Sequence, residues 1–165
     1  MKQFDLKCLE VEHGVEELLT VHVPRTIKIA LDSGAGDHVA GRSLVGDRRV
    51  RPSRGSRSGR HFVAANGDKI ANQGEADLHM VEPRGGGIRS VFQVADVTRA
   101  LYSVSKMCDD GCEVHFDKDK GVVTRNGRHV ATFIREGGLY TIEMAIKGDD
   151  EEEIGSRFTR PGAKA

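Results

Sequence analysis

The chain has no tryptophan, and aromatic residues make up 5% of its 165 positions. Set beside 20 glycines, 4 prolines and many β-branched positions, that scarcity favours a β-dominated fold with frequent turns, and no long helix is evident. Cysteine is an odd set of three, Cys8, Cys108 and Cys112, which argues against a disulfide framework and for reduced thiols. Charge of one sign is also missing: 25 Lys and Arg balance 25 Asp and Glu, so no global field draws the molecule to nucleic acid or to a membrane surface. No stretch approaches the roughly 20 apolar residues of a membrane span, and Met1 to Asp5 carry no apolar run of signal-peptide type. These absences predict a soluble, intracellular protein with no membrane contact, cytoplasmic or particle-associated.

Metal and cofactor chemistry find no support either. Cys108, Cys112 and His115 lack the spacing of a zinc finger or knuckle, and no fourth ligand lies at the usual distance. The other histidines are scattered, so neither a metal nor a cofactor is expected.

The length fits one domain with its own core and is short for a two-lobed enzyme. Charge does segregate locally. Arg42, Arg48, Arg49, Arg51, Arg54, Arg57 and Arg60 fall in one Gly/Ser-rich stretch whose only acid is Asp47, which reads as a mobile basic loop. Clustered arginines of this kind would touch RNA phosphates weakly, although no aromatic side chains are interleaved to stack bases; a merely solvated loop is the alternative. Residues 149–153 form an acidic run, and the segment 147–165 has too little apolar surface to offset its chain entropy, which predicts a domain over 1–146 and a disordered tail.

Periodicity gives a string of short elements. Residues 4–11, 17–23 and 27–31 alternate as strands. Residues 61–65 and 68–71 flank Asn66-Gly67, the dipeptide most favoured in a two-residue type I′ hairpin turn. Residues 75–81 and 88–97 form a second pair around Gly85-Gly86-Gly87. The apolar spacing at 101, 104, 107 and 108 predicts a short helix stopped by Gly111, and 112–116, 121–125, 129–135 and 138–146 read as further strands.

The most informative segment is Ile27-Lys28-Ile29-Ala30-Leu31-Asp32-Ser33-Gly34-Ala35. A half-buried strand delivers Asp32 to a Ser-Gly turn, which places its carboxylate at a strand end beside backbone amides. Asp32-Ser33-Gly34-Ala35 resembles the Asp-Ser/Thr-Gly-Ala signature of aspartic proteases, and the order of features along residues 4–146 is similar to the retropepsin-like protease domain of copia-type retrotransposon polyproteins. Asp32 to His38 looks like that family's Asp-Ser-Gly-Ala-x-x-His segment. Residues 62–74, with Ala65-Asn66-Gly67, look like its flap hairpin. Residues 91–116 look like its later block, with Leu-x-Ser-Val-Ser-Lys at 101–106, and Gly137-Gly138-Leu139-Tyr140 resembles its Gly-Leu-Tyr.

That resemblance implies an all-β closed barrel with a flap hairpin and one short helix, paired as a two-fold homodimer. It implies catalysis by Asp32, an active-site turn of Ser33, Gly34 and Ala35, a flap at Ala65, Asn66 and Gly67, and a second loop at Leu101, Tyr102 and Ser103 bordering the substrate pocket. Retroviral enzymes carry glycine where this chain has Ser103, and copia-type sequences tend to carry serine. Peptide hydrolysis by carboxylates needs two of them sharing a proton, and this chain offers one Asp-Ser-Gly, so the second would come from the partner copy. The expected substrate is a peptide or polyprotein. The competing expectation is a preserved scaffold that no longer cuts, retained for dimerisation, peptide binding or RNA contact.

Overall fold

Apolar residues spaced two apart set most of the architecture, because a pleated strand sends alternate side chains to opposite faces. The structure, a computed structural model, describes residues 24–148. The strands expected at 4–11 and 17–23, Cys8 and all but the first two residues of the expected tail lie outside the described residues.

The chain runs β1 (Thr26–Asp32), β2 (Val39–Ala40), α1 (Arg42–Val45), a 3-10 turn (Asp47–Arg49), α2 (Arg54–Arg57), β3 (His61–Val63) and β4 (Lys69–Ala71). It continues through β5 (Gly74–Val81), β6 (Gly87–Val94), β7 (Ala100–Ser103), α3 (Val104–Asp109), β8 (Cys112–Phe116), β9 (Lys120–Arg125), β10 (Arg128–Glu136) and β11 (Leu139–Ile146). The described residues are therefore mostly strand, as the composition predicts.

Nine strands share one mixed sheet, in the order β1-β7-β2-β6-β5-β11-β10-β9-β8, and β1 also pairs with β11. The pairings thus close a circuit through β1, β7, β2, β6, β5 and β11, and β10, β9 and β8 continue from it as a meander. β1 lies parallel to β7 and antiparallel to β11. Its alternation puts Ile27 and Ile29 fully inside, against Leu78 and Met80 of β5, Phe92 and Val94 of β6, Phe133 of β10, and Ile142 and Met144 of β11. Each such side chain contributes about 2 kcal/mol by leaving water.

Three local expectations change. The apolar spacing over 101–108 does not make one helix: Ala100–Ser103 is strand β7, and the helix begins only at Val104. Hydrogen bonding to β1 and burial of Ala100, Tyr102 and Ser103 override the local period. Asn66-Gly67 does not form a type I′ turn either. That turn needs a positive φ at both central residues, and here only Gly67 has one, at 88°. Val63 pairs with Lys69, Gly67 N–H donates to Ala64 C=O (2.8 Å), and Ala64 N–H donates to Asp68 C=O (2.8 Å). The Asn66 carboxamide caps the loop by accepting from Asp68 N–H (3.0 Å) and donating to its carboxylate (2.7 Å), which favours this wider loop. The same dipeptide at Asn126-Gly127 has φ of 51° and 72°, both positive, between paired Arg125 and Arg128.

The third change concerns the arginine-rich stretch, which is folded and contributes two short helices, α1 and α2, beyond the one expected. Arg51 and Glu75 exchange backbone hydrogen bonds (2.9 and 2.8 Å), α2 is capped by Ser53, and Asn72 N–H donates to Arg60 C=O (3.0 Å). Gly74 permits this anchor. Its φ is 135°, and a Cβ there would sit 2.4 Å from the Arg51 carbonyl oxygen. Gly74→Ala is expected to cost roughly 2–3 kcal/mol, visible as a lower urea midpoint with an unchanged slope. A midpoint equal to wild type would mean that the 51–75 bridge does not anchor the segment.

Candidate active site

Asp32 ends β1, and its carboxylate is fixed by the turn it enters. Gly34 N–H donates to Asp32 Oδ1 (2.7 Å), and a Cβ on Gly34 would lie 3.3 Å from that same oxygen. Only a residue without a side chain lets the amide approach so closely without crowding the carboxylate. Asp32 is half-buried and Ser33 is exposed.

The turn is held from the other side by β7 and α3. Asp32 is in register with Ser103 across the parallel β1 and β7 pair. Ser103 is fully buried; its hydroxyl donates to Ala35 C=O (2.6 Å) and accepts from Lys106 N–H (3.2 Å), capping α3. Ser103 N–H donates to His38 Nδ1 (3.1 Å). Lys106 Nζ donates to Asp37 Oδ1 (2.6 Å), an oxygen that also accepts from His38 N–H (2.9 Å). Thus Ala35, Asp37 and His38 are each tied to Ser103 or Lys106.

His38 is buried edge-on to Tyr102, with ring centroids 4.9 Å apart, and beside Phe92 at 6.0 Å. Burial, and then the neighbouring Lys106 ammonium, lower its pKa to about 4 against the opposing pull of the Asp37 and Asp110 carboxylates. The ring is therefore neutral near pH 7. Because Nδ1 accepts from Ser103, the proton of that neutral ring resides on Nε2.

An open cleft exposes Asp32. Leu31, Ser33, Ile70 of β4, Leu101 and Leu139 line it, and residues 96–99 form its far rim. Asp96 is a second carboxylate in this cleft, exposed on that rim. The other acids near the site are engaged elsewhere: Asp37 with Lys106, and Asp47 with Arg42 (3.7 Å).

The expected site residues divide. Asp32, Ser33 and Leu101 line the cleft together, and Gly34 and Ala35 form the turn behind them. Ser103 braces the turn from behind. Tyr102 points into the core, with its hydroxyl 2.9 Å from Ser90 Oγ and its ring against Phe92 and Phe133, so it does not line the cleft. Burial raises its pKa. Ala65, Asn66 and Gly67 are exposed at the tip of the β3 and β4 hairpin, and it is the arm residue Ile70 that borders the cleft.

Lys106, Leu139 and the 96–99 rim were not singled out as site residues from the sequence. The Ser-Val-Ser-Lys pattern carried the signal for Lys106, and nothing local marked the rim. Cys108 is exposed and Cys112 half-buried, with burial raising the Cys112 thiol pKa. Among the described residues no cluster of three or more His, Cys, Asp or Glu side chains could hold a metal ion. No protein-family model, curated protein or solved structure matches the chain.

Proposed function

We propose that the chain is an aspartic endopeptidase of the retropepsin-like kind, in which Asp32 from each of two copies forms the catalytic dyad. The observation that carries this reading is a carboxylate at a strand end, clamped by the Gly34 amide, braced through Ser103 and open to a cleft with apolar walls. Two segments that resemble the family, 32–38 and 101–106, meet at that brace although some 65 residues separate them in the chain. On this reading the six-strand circuit is the family's closed barrel, and β3 with β4 is its flap.

In such a dyad one carboxylate takes a proton from water while the other, protonated, donates to the carbonyl oxygen of the scissile bond. The water oxygen bonds to the carbonyl carbon. Collapse of that tetrahedral adduct breaks the C–N bond as a proton moves to the leaving nitrogen. Two carboxylates so close cannot both ionise cheaply, so they titrate as a coupled pair, the known behaviour of aspartic-protease dyads. The Ser33 hydroxyl is exposed and makes no hydrogen bond among the described residues, which leaves it available to bridge to the partner's turn. A peptide would lie extended in the cleft under the hairpin, as an added strand. The natural substrate would be a retrotransposon-type polyprotein.

A second reading rests on the single Asp-Ser-Gly: a chain that pairs without bringing its two carboxylates together would be a non-catalytic dimerisation or peptide-binding module. Incubating the chain with a mixed peptide library from mildly acidic to neutral pH, with and without pepstatin, separates the two. The endopeptidase reading predicts pepstatin-sensitive internal cleavage. A chain shown to be dimeric that cuts nothing would support the module.

A further inference from the structure

The arginine-rich stretch is not accounted for by a catalytic turn, and its folded arrangement sorts its side chains. Arg42 pairs with Asp47, Arg51 pairs with Glu75 (3.2 Å), and Arg49 donates to the Val45 and Lys147 carbonyls. Arg57 reaches the Pro52 carbonyl. Of the arginines whose side chains are described, Arg54 and Arg60 remain, and neither has an ion pair among the described residues. Both line one cavity of about 290 Å³, together with Gly36 and Asp37 of the Asp32 loop and His61 and Phe62 of β3.

The charge in that cavity is one-sided. Its two carboxylates are already neutralised, Asp37 by Lys106 and Glu75 by Arg51. Its amides and hydroxyl are engaged with one another: Asn72 donates to Gln93 Oε1 (2.9 Å) and accepts from Ser53 Oγ (3.3 Å). The lining side chains left without a partner among the described residues are the guanidiniums of Arg54 and Arg60 and the imidazole of His61, so the charge that remains is positive. The backbones of the two arginines are fixed, since Arg60 N–H donates to Gly55 C=O (2.9 Å) and a Cβ on Gly55 would meet Asn72 Nδ2 at 2.8 Å. Two guanidiniums in one cavity, each on a fixed backbone, suit a carboxylate, which a guanidinium can bind with two parallel N–H bonds.

The cavity and the Asp32 cleft are bordered by the same two segments, the β3 and β4 hairpin and the loop after Asp32. Phe62 lines the cavity, Ile70 lines the cleft, and these two are cross-strand partners in the hairpin. Asp32 and Ser33 border the cleft, while Gly36 and Asp37 border the cavity. A chain extended beneath the hairpin past Asp32 would run along segments that border both spaces, within reach of the cavity.

We infer that Arg54 and Arg60 form a specificity pocket for an acidic side chain of the peptide, a few residues from the scissile bond. This rests on the endopeptidase reading, and two experiments keep the fates of the two ideas separate. In the first, a peptide cleaved by the full chain is resynthesised with Glu, Gln or Lys at each flanking position. One position is expected to prefer Glu over Gln by about tenfold in kcat/KM, with the preference shrinking as salt rises. Arg54→Glu with Arg60→Glu is expected to reverse it towards Lys, a gain that a misfolded chain cannot show. Equal cleavage of Glu and Gln peptides at every position overturns the inference while leaving the endopeptidase reading intact.

In the second, which needs no cleavage, the immobilised Asp32→Asn chain is presented with pooled decapeptides containing Glu, Gln or Lys in otherwise random sequence. Enrichment of the Glu pool, lost in the double charge reversal, supports the pocket. No enrichment overturns it. Binding of a single-stranded RNA oligonucleotide that requires Arg54 and Arg60, with no acidic preference among peptides, overturns it in favour of an RNA contact.

Discussion

Asp32→Asn is expected to lower peptide cleavage by about a thousandfold or more while leaving the fold in place, because the substitution removes an ionisable group and little else. Asparagine keeps an oxygen that can accept from Gly34 N–H, so the turn retains the bond that shapes it. The Ser103 bond to Ala35 and the Lys106 bond to Asp37 do not involve the substituted atom. Unfolding by urea should therefore show a midpoint close to wild type. On the dyad reading, removing the repulsion between the two facing carboxylates should strengthen pairing of the copies. Asp96→Asn is the matching control, since Asp96 lies on the rim of the same cleft. Full activity in that variant is expected; loss equal to that of Asp32→Asn would assign the dyad to one chain.

The second large effect is acid sensitivity arising from His38. Its pKa is 6.5 when unfolded and about 4 in the fold, so between those values the unfolded chain holds the extra proton. The stability tied to keeping this ring neutral is complete above about pH 6.5 and is lost progressively as pH falls to about 4, with a total of about 3 kcal/mol. Lys106 sharpens the effect by opposing a second positive charge, while Asp37 and Asp110 moderate it. The carboxylates whose folded pKa values are lowered, such as Asp77 beside Arg89, lose their contribution in a lower range, as pH falls below the ordinary carboxylate value. His38→Asn keeps an acceptor for Ser103 N–H and removes the titration. Its stability should be lower at pH 7, because the ring packing against Tyr102 and Phe92 is gone, yet flatter between pH 7 and 4.5. A slope as steep as wild type would show that His38 is not its source.

These two effects pull in opposite directions on activity. A dyad that shares one proton favours mildly acidic solution, whereas protonating His38 strains the brace that holds the Asp32 turn. On the endopeptidase reading, the acid side of the working range should therefore reflect loss of stability in the brace as well as titration of the carboxylates.

Several features were legible before any fold was known because they depend on neighbours in the chain. Strand β1 and its turn follow from the apolar alternation at 27, 29 and 31 and the glycine at 34. The β5 and β6 pair and the strands of the late meander have the same local origin. What was not legible depends on distant partners. Residues 100–103 have a helical spacing, yet they become a strand because β1 offers a parallel neighbour. The arginine-rich stretch looks mobile from its composition, and it is folded because Arg51 finds Glu75 and Ser53 finds Asn72. Asp96 carries no local mark as a site residue; only the tertiary arrangement brings it to the same cleft as Asp32. The resemblance of residues 101–106 to a family block did name Ser103, but its position as a brace behind Ala35 emerges only in three dimensions.

Whether Asp32 works across two copies is decided by mixing subunits. Wild-type chain at fixed concentration is equilibrated with increasing Asp32→Asn chain, and cleavage of one fluorogenic peptide is followed. A shared dyad predicts that activity falls as inactive mixed dimers accumulate, towards zero at large excess of the variant. Activity that stays constant while the variant is added, under conditions where subunit exchange is demonstrated, would contradict it.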